Sequence, residues 1–556
     1  MRIRHLILAA LAAVSMLTFA CSSSEEGGQK AAGRAPESAK ASGVRPAPGA
    51  RETPVPGGRI VEPSLGEPSN LIPILATDSS SHEVADLIYI APLKYNKDIE
   101  LVPWAAESYE VLEDGRLLRF KLREDIRWFD GRPFTAEDVK FTVDLMRDPK
   151  TPTAYGEDYK AIKEFSMTGP YSFEVRYDKP FARALVTWAM DVLPKHALEK
   201  ENLLETKYSR LPMGAGPYKL KEWVPGRRIV LEANDDYFLG RPCLDRVVYE
   251  IIPDLSTQFM ELKAGNLDMM GLTAQQFLFQ TKGPEWERDW NKFEYLSFGY
   301  TYLGYNLKRP MFQSRKVRQA LTHAIDKEEL VKGVLFGLGV PAVGPYKPGT
   351  WVHNDKLAPY AYDPEKARRL LAEEGWRDTD GDGVLDKDGR PFAFTILTNQ
   401  GNDQRVKTAT IIQQRLRQIG VAVDIRTVEW AAFVKEFINK GNFDATILAW
   451  NILQDPDIYS VWHSSQVAPA GLNHTFYKNE ELDGLLEQGR TTLDQDERKR
   501  IYDRVQEILH EDQPYTFLYV PMSLPIVNAR YRNVEVAPAG ITHNFTEWWV
   551  PKHLQR

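Results

Sequence analysis

The sequence predicts an α/β protein, and three observations carry that prediction. Between Arg390 and Trp450 the apolar period switches from two to about 3.6 and back, twice. Helix caps of good chemical quality recur through the second half. The first half holds more alternating strand-like runs, and no internal repeat is visible.

In chain order, Leu117 to Leu122 alternates as a strand. Thr135 to Asp138 (TAED) opens a helix that turns Val139, Val143 and Met146 inward. Ile229 to Ala233 and Arg246 to Ile252 are further strands. Ser314 precedes a helix with Val317, Leu321 and Ala324 on one face, and Asp326 to Glu329 (DKEE) is a capping box for the next. Asp363-Pro364 places a cap and then proline at the first helical position, with Leu370 and Leu371 inward before Gly375. Phe392, Phe394 and Ile396 alternate as a strand; Val406, Ala409, Ile412, Leu416 and Ile419 recur at helical steps until Gly420. Val421, Val423 and Ile425 alternate again. Trp430, Phe433, Val434 and Phe437 share a helical face that Gly441 closes, and Asp444 to Trp450 (DATILAW) is the third strand. Strand–helix–strand–helix–strand argues for a parallel sheet with right-handed crossovers, whose ligands sit beyond the carboxyl ends of the strands. Trp450 and the following Asn451 to Asp457 lie at such an end. Asp494 to Glu497 (DQDE) caps one more helix.

The chain has 556 residues, 43% hydrophobic and 26% charged, with a net charge of −7. This is globular composition for roughly three to four domain-sized units. It excludes wholesale disorder and a polytopic membrane protein, and mild acidity gives no reason for a nucleic-acid partner. Two cysteines exclude a disulfide scaffold and a Cys-rich metal site.

Residues 1–20 read as an export signal: Arg2, Arg4 and His5 form a basic start, and Leu6 to Ala20 is an apolar run shorter than the ~20 residues of a spanning helix. Cys21 follows, then Ser22 to Glu26. This resembles the lipobox of bacterial lipoproteins, in which the cysteine is lipidated, although Thr18 stands where those proteins prefer leucine and Phe19 is large. The alternative is a soluble secreted chain with Cys21 beside an ordinary cleavage site. If Cys21 is lipidated, Cys243 has no partner and is a small buried apolar residue. Residues 21–58 lack apolar periodicity and read as lipid anchor and flexible tether, with a span of roughly 35 Å as a random coil.

Several blocks together resemble one family. Trp128 to Val139 reads WFDGRPFTAEDV, Pro212 to Tyr218 PMGAGPY, Asn234 to Gly240 NDDYFLG and Glu261 to Asp268 ELKAGNLD. Tyr305-Asn306 precedes Arg318 to Leu321 (RQAL), and Asp455-Pro456-Asp457 precedes Asn473, Tyr477 and Asn479. In order and spacing these resemble the solute-binding proteins of peptide/nickel-type ABC importers (family 5), from about Gly58 to Val550. The resemblance implies a two-lobed periplasmic-binding-protein-like clamshell with an inserted extra subdomain. Lobe I would comprise 59–90, 210–304 and 516–550, with the inserted subdomain at 91–209; lobe II would be 305–515. It implies an extracytoplasmic substrate-binding component that encloses a small solute by hinge closure and passes it to an ABC permease and its ATPase. A monomer without catalytic residues, on the periplasmic or cell-envelope side and anchored by lipid, is expected.

For the solute, the resemblance implies an oligopeptide or peptide-like molecule held by backbone hydrogen bonds. In peptide binders an aspartate shortly after the tryptophan matched to Trp450 pairs with the α-ammonium. Here Asn451, Ile452, Leu453 and Gln454 intervene before Asp455. Asp455 can substitute with a shift, or the ligand lacks a free amine. Asp455 and Asp457 are ligand candidates, with a turn and helix cap as the competing reading. Asp457 stands where nickel binders of the family place histidine. Tyr300 and Tyr302, in FGYTYL, either face the cleft or pack. Ser80, in Thr77 to Ser81, can supply a hydroxyl, and Gly216 a close backbone contact. His323 reads as a packing or surface histidine.

Asp378 to Gly389 reads DTDGDGVLDKDG. Asp378, Asp380, Asp382 and Asp386 match positions 1, 3, 5 and 9 of an EF-hand loop, but Gly389 replaces the bidentate glutamate and Asp388 stands one residue early. The loop either holds a structural calcium or is a solvated Asp/Gly turn; no other cofactor is required. Two other classes compete: a secreted lipid-anchored hydrolase, and a ligand-sensing relative without a transporter. The chain has no G-x-S-x-G, H-E-x-x-H, P-loop or C-x-x-C.

Overall fold

Strand and helix signals of the second half materialise where the periods place them. The computed structural model describes residues 40–42, 53–451, 455–467 and 471–556. The export signal, Cys21 and most of the tether lie outside the described residues.

Strands Ala393–Asn399, Ala422–Val428 and Ala445–Asn451 are mutually parallel with Ala393–Asn399 in the middle. The first crossover helix, Asp403–Arg417, is capped by Asn402, whose side chain accepts from the Arg405 N–H. Its buried stripe is Thr408, Ala409, Ile412 and Leu416. Gly420 and Gly441 end the two crossovers with positive φ, the conformation glycine tolerates best. The second crossover differs from the regular helix its period predicts. It starts as a short α-turn, Trp430–Ala432, and continues as a π-helical segment, Phe433–Ile438. Widening the turn keeps Phe433, Val434 and Ile438 all inward against Trp430 and Leu397.

These strands continue into the largest sheet, ordered Met269–Gly271, Pro525–Asn528, Trp290–Leu296, Tyr515–Ser523, Gly299–Tyr305, then Ala445–Asn451, Ala393–Asn399 and Ala422–Val428. Two segments run through both halves of the molecule within it. One passes from Trp290–Leu296 into Gly299–Tyr305, and the other returns from Tyr515–Ser523 into Pro525–Asn528. They cross near Ser297 and Leu524, so that strands Gly299–Tyr305 and Tyr515–Ser523 pack with the residues of 305–515.

A second sheet orders Arg59–Ser64, Arg246–Ile251, Arg228–Ala233 and Tyr218–Val224, with the first pair parallel. A third, antiparallel, orders Ala106–Leu112, Leu117–Leu122, Ser172–Tyr177 and Ile162–Gly169. The third sheet lies inside the 91–209 segment, and one apolar core joins it to the second through Phe120, Phe173, Trp188, Ile60 and Leu231. Each large apolar side chain fully buried there contributes about 1.5–3 kcal/mol. The other half has its own core: Leu303, Ile396, Ile412, Leu416 and Ile447 in one cluster, Tyr302, Trp462, Tyr502 and Phe517 in another. Two cores joined by two sheet crossings make the two-lobed α/β architecture.

Caps behave as their chemistry dictates. Thr135 and Asp138 form a reciprocal capping box on helix Ala136–Arg147. Asp326, Asp363 and Asp494 each accept from the N–H three residues on. Cys243 is free and half-buried, and burial pushes its thiol up. His323 is a packing histidine: its Nδ1 lies 2.8 Å from the Ala361 carbonyl and its ring lies against Tyr360. Among the described residues no helix is long and apolar enough to cross a membrane.

Candidate functional site

Trp450, Tyr300 and Tyr302 come together. Strand Gly299–Tyr305 runs antiparallel to Ala445–Asn451, with Tyr300 directly opposite Trp450. The Trp450 Nε1–H donates to the Tyr515 hydroxyl at 3.1 Å, and its ring stacks on His474 at 5.7 Å. Tyr302 stacks on Tyr515 with centroids 3.8 Å apart. Tyr300 and Tyr302 are each 1% exposed, so they build the wall of the second lobe from inside, while Trp450 stays partly open. Burial holds His474 neutral, down at about 4.

Asp455 and Asp457 enter a cluster of three carboxylates and three guanidiniums. Arg498 contacts Asp455 at 3.2 Å, and Arg183 reaches it at 3.4 Å. Arg183 Nε lies 3.1 Å from Asp457 and 2.8 Å from Asp158. Arg490 Nε donates to Asp457 at 3.0 Å, and its other end pairs with Asp158. Asp457 is 4% exposed and Arg183 20%. Burial pushes the Asp457 carboxyl up to about 6, against the lowering pull of Arg183. Asp457 also accepts from the Tyr459 N–H at 2.9 Å, as a turn residue does. Asp158 and Arg183 belong to the 91–209 segment and the other four residues to 305–515. The cluster therefore ties the inserted subdomain to the second lobe, and the Ala182 N–H reinforces it by donating to the Arg490 carbonyl at 2.7 Å.

Ser80 and Gly216 lie in the other lobe, apart from these two groups. Ser80 is 2% exposed, and its hydroxyl meets Ser64 Oγ at 3.3 Å. Gly216 donates its N–H to the Ile88 carbonyl at 2.8 Å and accepts from Asn234 Nδ2 at 2.9 Å. A Cβ at Gly216 would sit 2.7 Å from Ile88 and Leu87 backbone atoms, and one at Gly214 only 1.9 Å from the Ile88 carbonyl oxygen. The PMGAGPY glycines thus serve close packing of two backbones. Next to Ser80, Asp78 caps helix Ser79–Ala85 and receives the Trp430 Nε1–H at 3.5 Å, a contact between lobes.

Arg405 emerges from the structure and not from motif reading. It stands in the first turn of Asp403–Arg417, just beyond the carboxyl end of the central parallel strand. Its Nη1 donates to Asn399 Oδ1 at 2.7 Å, and Tyr302 and Tyr519 lie beside it. Burial pushes its guanidinium down, and among the described residues no carboxylate pairs with it. A half-buried guanidinium with no carboxylate beside it suits a ligand carboxylate, which it can grip bidentately. The general rule about strand ends was the one signal that could have found it.

In the acidic loop, carboxylate oxygens of Asp378, Asp380 and Asp382 all lie within 4.8 Å of one another, and all three residues are exposed. The Asp378 carboxylate also accepts from the Gly381 and Gly383 N–H groups at 2.7 and 3.1 Å. Asp386 instead accepts from the Thr379 hydroxyl and N–H, and Asp388 sits in the turn with φ 54°. Three of the five acids are grouped as a calcium loop would group them.

The chain matches the family described as bacterial extracellular solute-binding proteins, family 5 Middle, over residues 100–470. It is 36% identical over 513 residues to the oligopeptide-binding protein AppA of Bacillus subtilis, covering 90% of this chain and 93% of that one. The structure of that protein in complex with a nonapeptide superposes with a TM-score of 0.86 at 34% identity, over 90% of this chain and all of the other. NikZ of Campylobacter jejuni in complex with Ni(L-His) superposes with a TM-score of 0.80 at 28% identity, over 89% of this chain and all of the other. With its two lobes, strand-end site and match over most of its length, this chain belongs to the family 5 bacterial extracellular solute-binding proteins.

Proposed function

We propose that this chain is the extracytoplasmic substrate-binding component of an ABC importer, and that its solute is an oligopeptide or peptide-like molecule. The observation that carries the reading is likeness along nine tenths of the chain to a protein seen with a nonapeptide. Arg405 adds physical support: a peptide carboxylate is the partner it lacks. The lobes close over the solute, exclude water and hand it, chemically unaltered, to the permease and its ATPase. Closure is driven only by a ligand that favours the closed state. The ion cluster of Asp158, Arg183, Asp455, Asp457, Arg490 and Arg498 holds the shut form. With their charges already balanced, Asp455 and Asp457 serve closure first, and the ligand meets Trp450 and the backbone around it. Lipidation at Cys21 tethers the monomer to the membrane on the outer, envelope side. Calcium held by Asp378, Asp380 and Asp382 would stiffen the loop before strand Ala393–Asn399.

Native mass spectrometry of the purified protein, followed by a thermal-shift screen of peptides, sugars and metal chelates, tests the reading. Recovery of intact peptides and a shift with nonapeptides is expected. No shift with any peptide, while a sugar or nickel–histidine chelate gives one, would overturn it. Recovery of a chemically changed guest would instead favour an enzyme.

A further inference from the structure

The second sheet buries one face in the core it shares with the inserted subdomain, through Ile60, Ile229, Leu231 and Val247. The alternate residues Val61, Val230 and Val248 point the other way, onto the floor of a cavity of 690 Å³. Helix Leu255–Lys263 and the turn Gly265 to Leu267 also line it. That volume falls within the range of small-molecule sites.

One end of the cavity carries surplus positive charge. Arg59 and Arg246 line it two residues ahead of Val61 and Val248, and they are direct partners across the parallel ladder. Neighbouring strands lie about 4.8 Å apart, so two like charges stand side by side. Among the described residues neither guanidinium has a carboxylate partner; Glu232, opposite Arg246, is held by Lys221 Nζ at 2.7 Å. Two more arginines crowd the same end. Buried Asp268 accepts from the Val61 N–H at 3.0 Å with one oxygen. Its other oxygen accepts from Arg530 Nη2 and Arg556 Nη2, each at 2.8 Å. Arg530 Nη2 also lies 3.4 Å from the Arg59 carbonyl. Four guanidiniums therefore meet one carboxylate, in a chain whose net charge is −7.

The acids lining the cavity do not balance that end. Glu222 pairs with Arg228 at 2.9 Å, and Glu261 accepts from Asn266 Nδ2 at 2.6 Å. Glu250 lies opposite Arg228, four residues or about 13 Å along the strand from Arg246. A second observation comes from Arg530. Its side chain is 10% exposed, and its buried Nε–H makes no hydrogen bond, a donor left over beside the crowded carboxylate.

Guanidinium forks match the oxygens of a phosphate, and the valine floor beside them suits a ligand with an apolar part. The position of the tether says where such a ligand would come from. The Gly57 N–H donates to the Cys243 carbonyl at 2.9 Å, and the Gly58 carbonyl accepts from the Asp245 N–H at 2.9 Å. Gln555 Nε2 donates to the Pro56 carbonyl at 3.1 Å. The segment leading back to Cys21 therefore starts next to Arg59 and Arg246. With Cys21 lipidated, that segment holds the cationic end within reach of a membrane surface, and effective concentration makes even a weak headgroup site count.

We propose that Arg59, Arg246, Arg530 and Arg556 form a phosphodiester site above Val61, Val230 and Val248. Its occupant is the headgroup of an anionic phospholipid, which orients this lobe on the membrane. The choice of occupant rests on the lipid-anchor reading; the anion chemistry does not.

The test uses the full chain carrying Cys21→Ser, so that no lipid of its own reaches the site. The probes are dihexanoylphosphatidylglycerol and dihexanoylphosphatidylcholine, both below their micelle concentrations, and inorganic phosphate. Calorimetry should show the glycerol lipid binding tenfold or more tighter than the choline lipid. Arg59→Gln with Arg246→Gln should remove that difference, with nonapeptide affinity and melting temperature kept at the parent values. Equal affinity for the two lipids, or a preference that survives the double variant, would overturn the site. Inorganic phosphate binding as tightly as the glycerol lipid, and lost in the same variant, would assign the site to free phosphate and overturn the lipid occupant. Mass spectrometry of Cys21 in the unsubstituted chain tests the anchor separately. An unmodified thiol there fails the anchor reading by itself, while the lipid titrations still decide the site.

Discussion

On the function proposed above, Arg405 is the residue that would hold the anionic end of a ligand. Its guanidinium is half-buried and, among the described residues, without a carboxylate partner. Arg405→Gln should weaken a free-acid nonapeptide by about 30-fold or more, since truncating one side of a buried charge pair costs about 2–5 kcal/mol. The C-terminal amide should bind wild type weakly and be indifferent to the substitution. Equal loss for both peptides in calorimetry would show that Arg405 only supports the fold. The acids of the opposite lobe give a pH signature. Glu62 at about 7 and Glu83 at about 8 bind protons in the folded state that the unfolded chain has released. Folding stability therefore falls as pH rises from about 5 to 8.5. Asp457, at about 6, adds to the lower part of the slope. The groups facing Glu83 are Glu62, Asp78, Asp86, His82 and Tyr249. The melting temperature of the ligand-free protein should drop across this range, and Glu83→Gln should flatten the drop. An unchanged slope in that variant would contradict the assignment.

Elements carry the next set of consequences. The turn holding Gly214 and Gly216 presses on the backbone of Leu87 and Ile88, so Gly214→Ala must push two segments apart. Overpacking of this kind costs about 1–3 kcal/mol, and chemical denaturation should report at least that loss. For the loop Asp378 to Gly389, millimolar calcium should raise the melting temperature, and Asp380→Ala with Asp382→Ala should abolish the rise. No rise in wild type would leave the loop as a solvated turn. These elements also show what can be read from one chain. The βαβαβ unit was legible because its apolar periods are long and uninterrupted and its ends are punctuated by Gly420 and Gly441. The π-helical widening at Phe433 was not, because 3.6-residue spacing does not distinguish a helix from its locally widened form. Trp450 was legible as a strand end. Arg405 was not, since whether a charge is balanced depends on partners brought in from elsewhere in the chain, as Tyr519 is brought beside it.

At the scale of the whole molecule, the proposed closure makes the long sheet that threads both lobes the hinge and the six-residue ion cluster the clasp. Breaking one side of the clasp should favour the open form. Asp158→Asn leaves Arg183 and Arg490 facing each other with one carboxylate fewer, and hydrogen bonds to charged groups are worth about 1.5–3 kcal/mol. The variant should bind nonapeptide about tenfold or more weaker, mainly through faster release, with its chemical-denaturation midpoint within a small shift of wild type. Slower association with unchanged release in stopped-flow traces would argue against a clasp. The most direct measurement of the central claim is small-angle X-ray scattering of the purified chain titrated with the nonapeptide that gives the largest thermal shift. Two lobes closing on a captured solute predict a radius of gyration that falls with occupancy. A radius that stays the same from empty to saturated protein would contradict it.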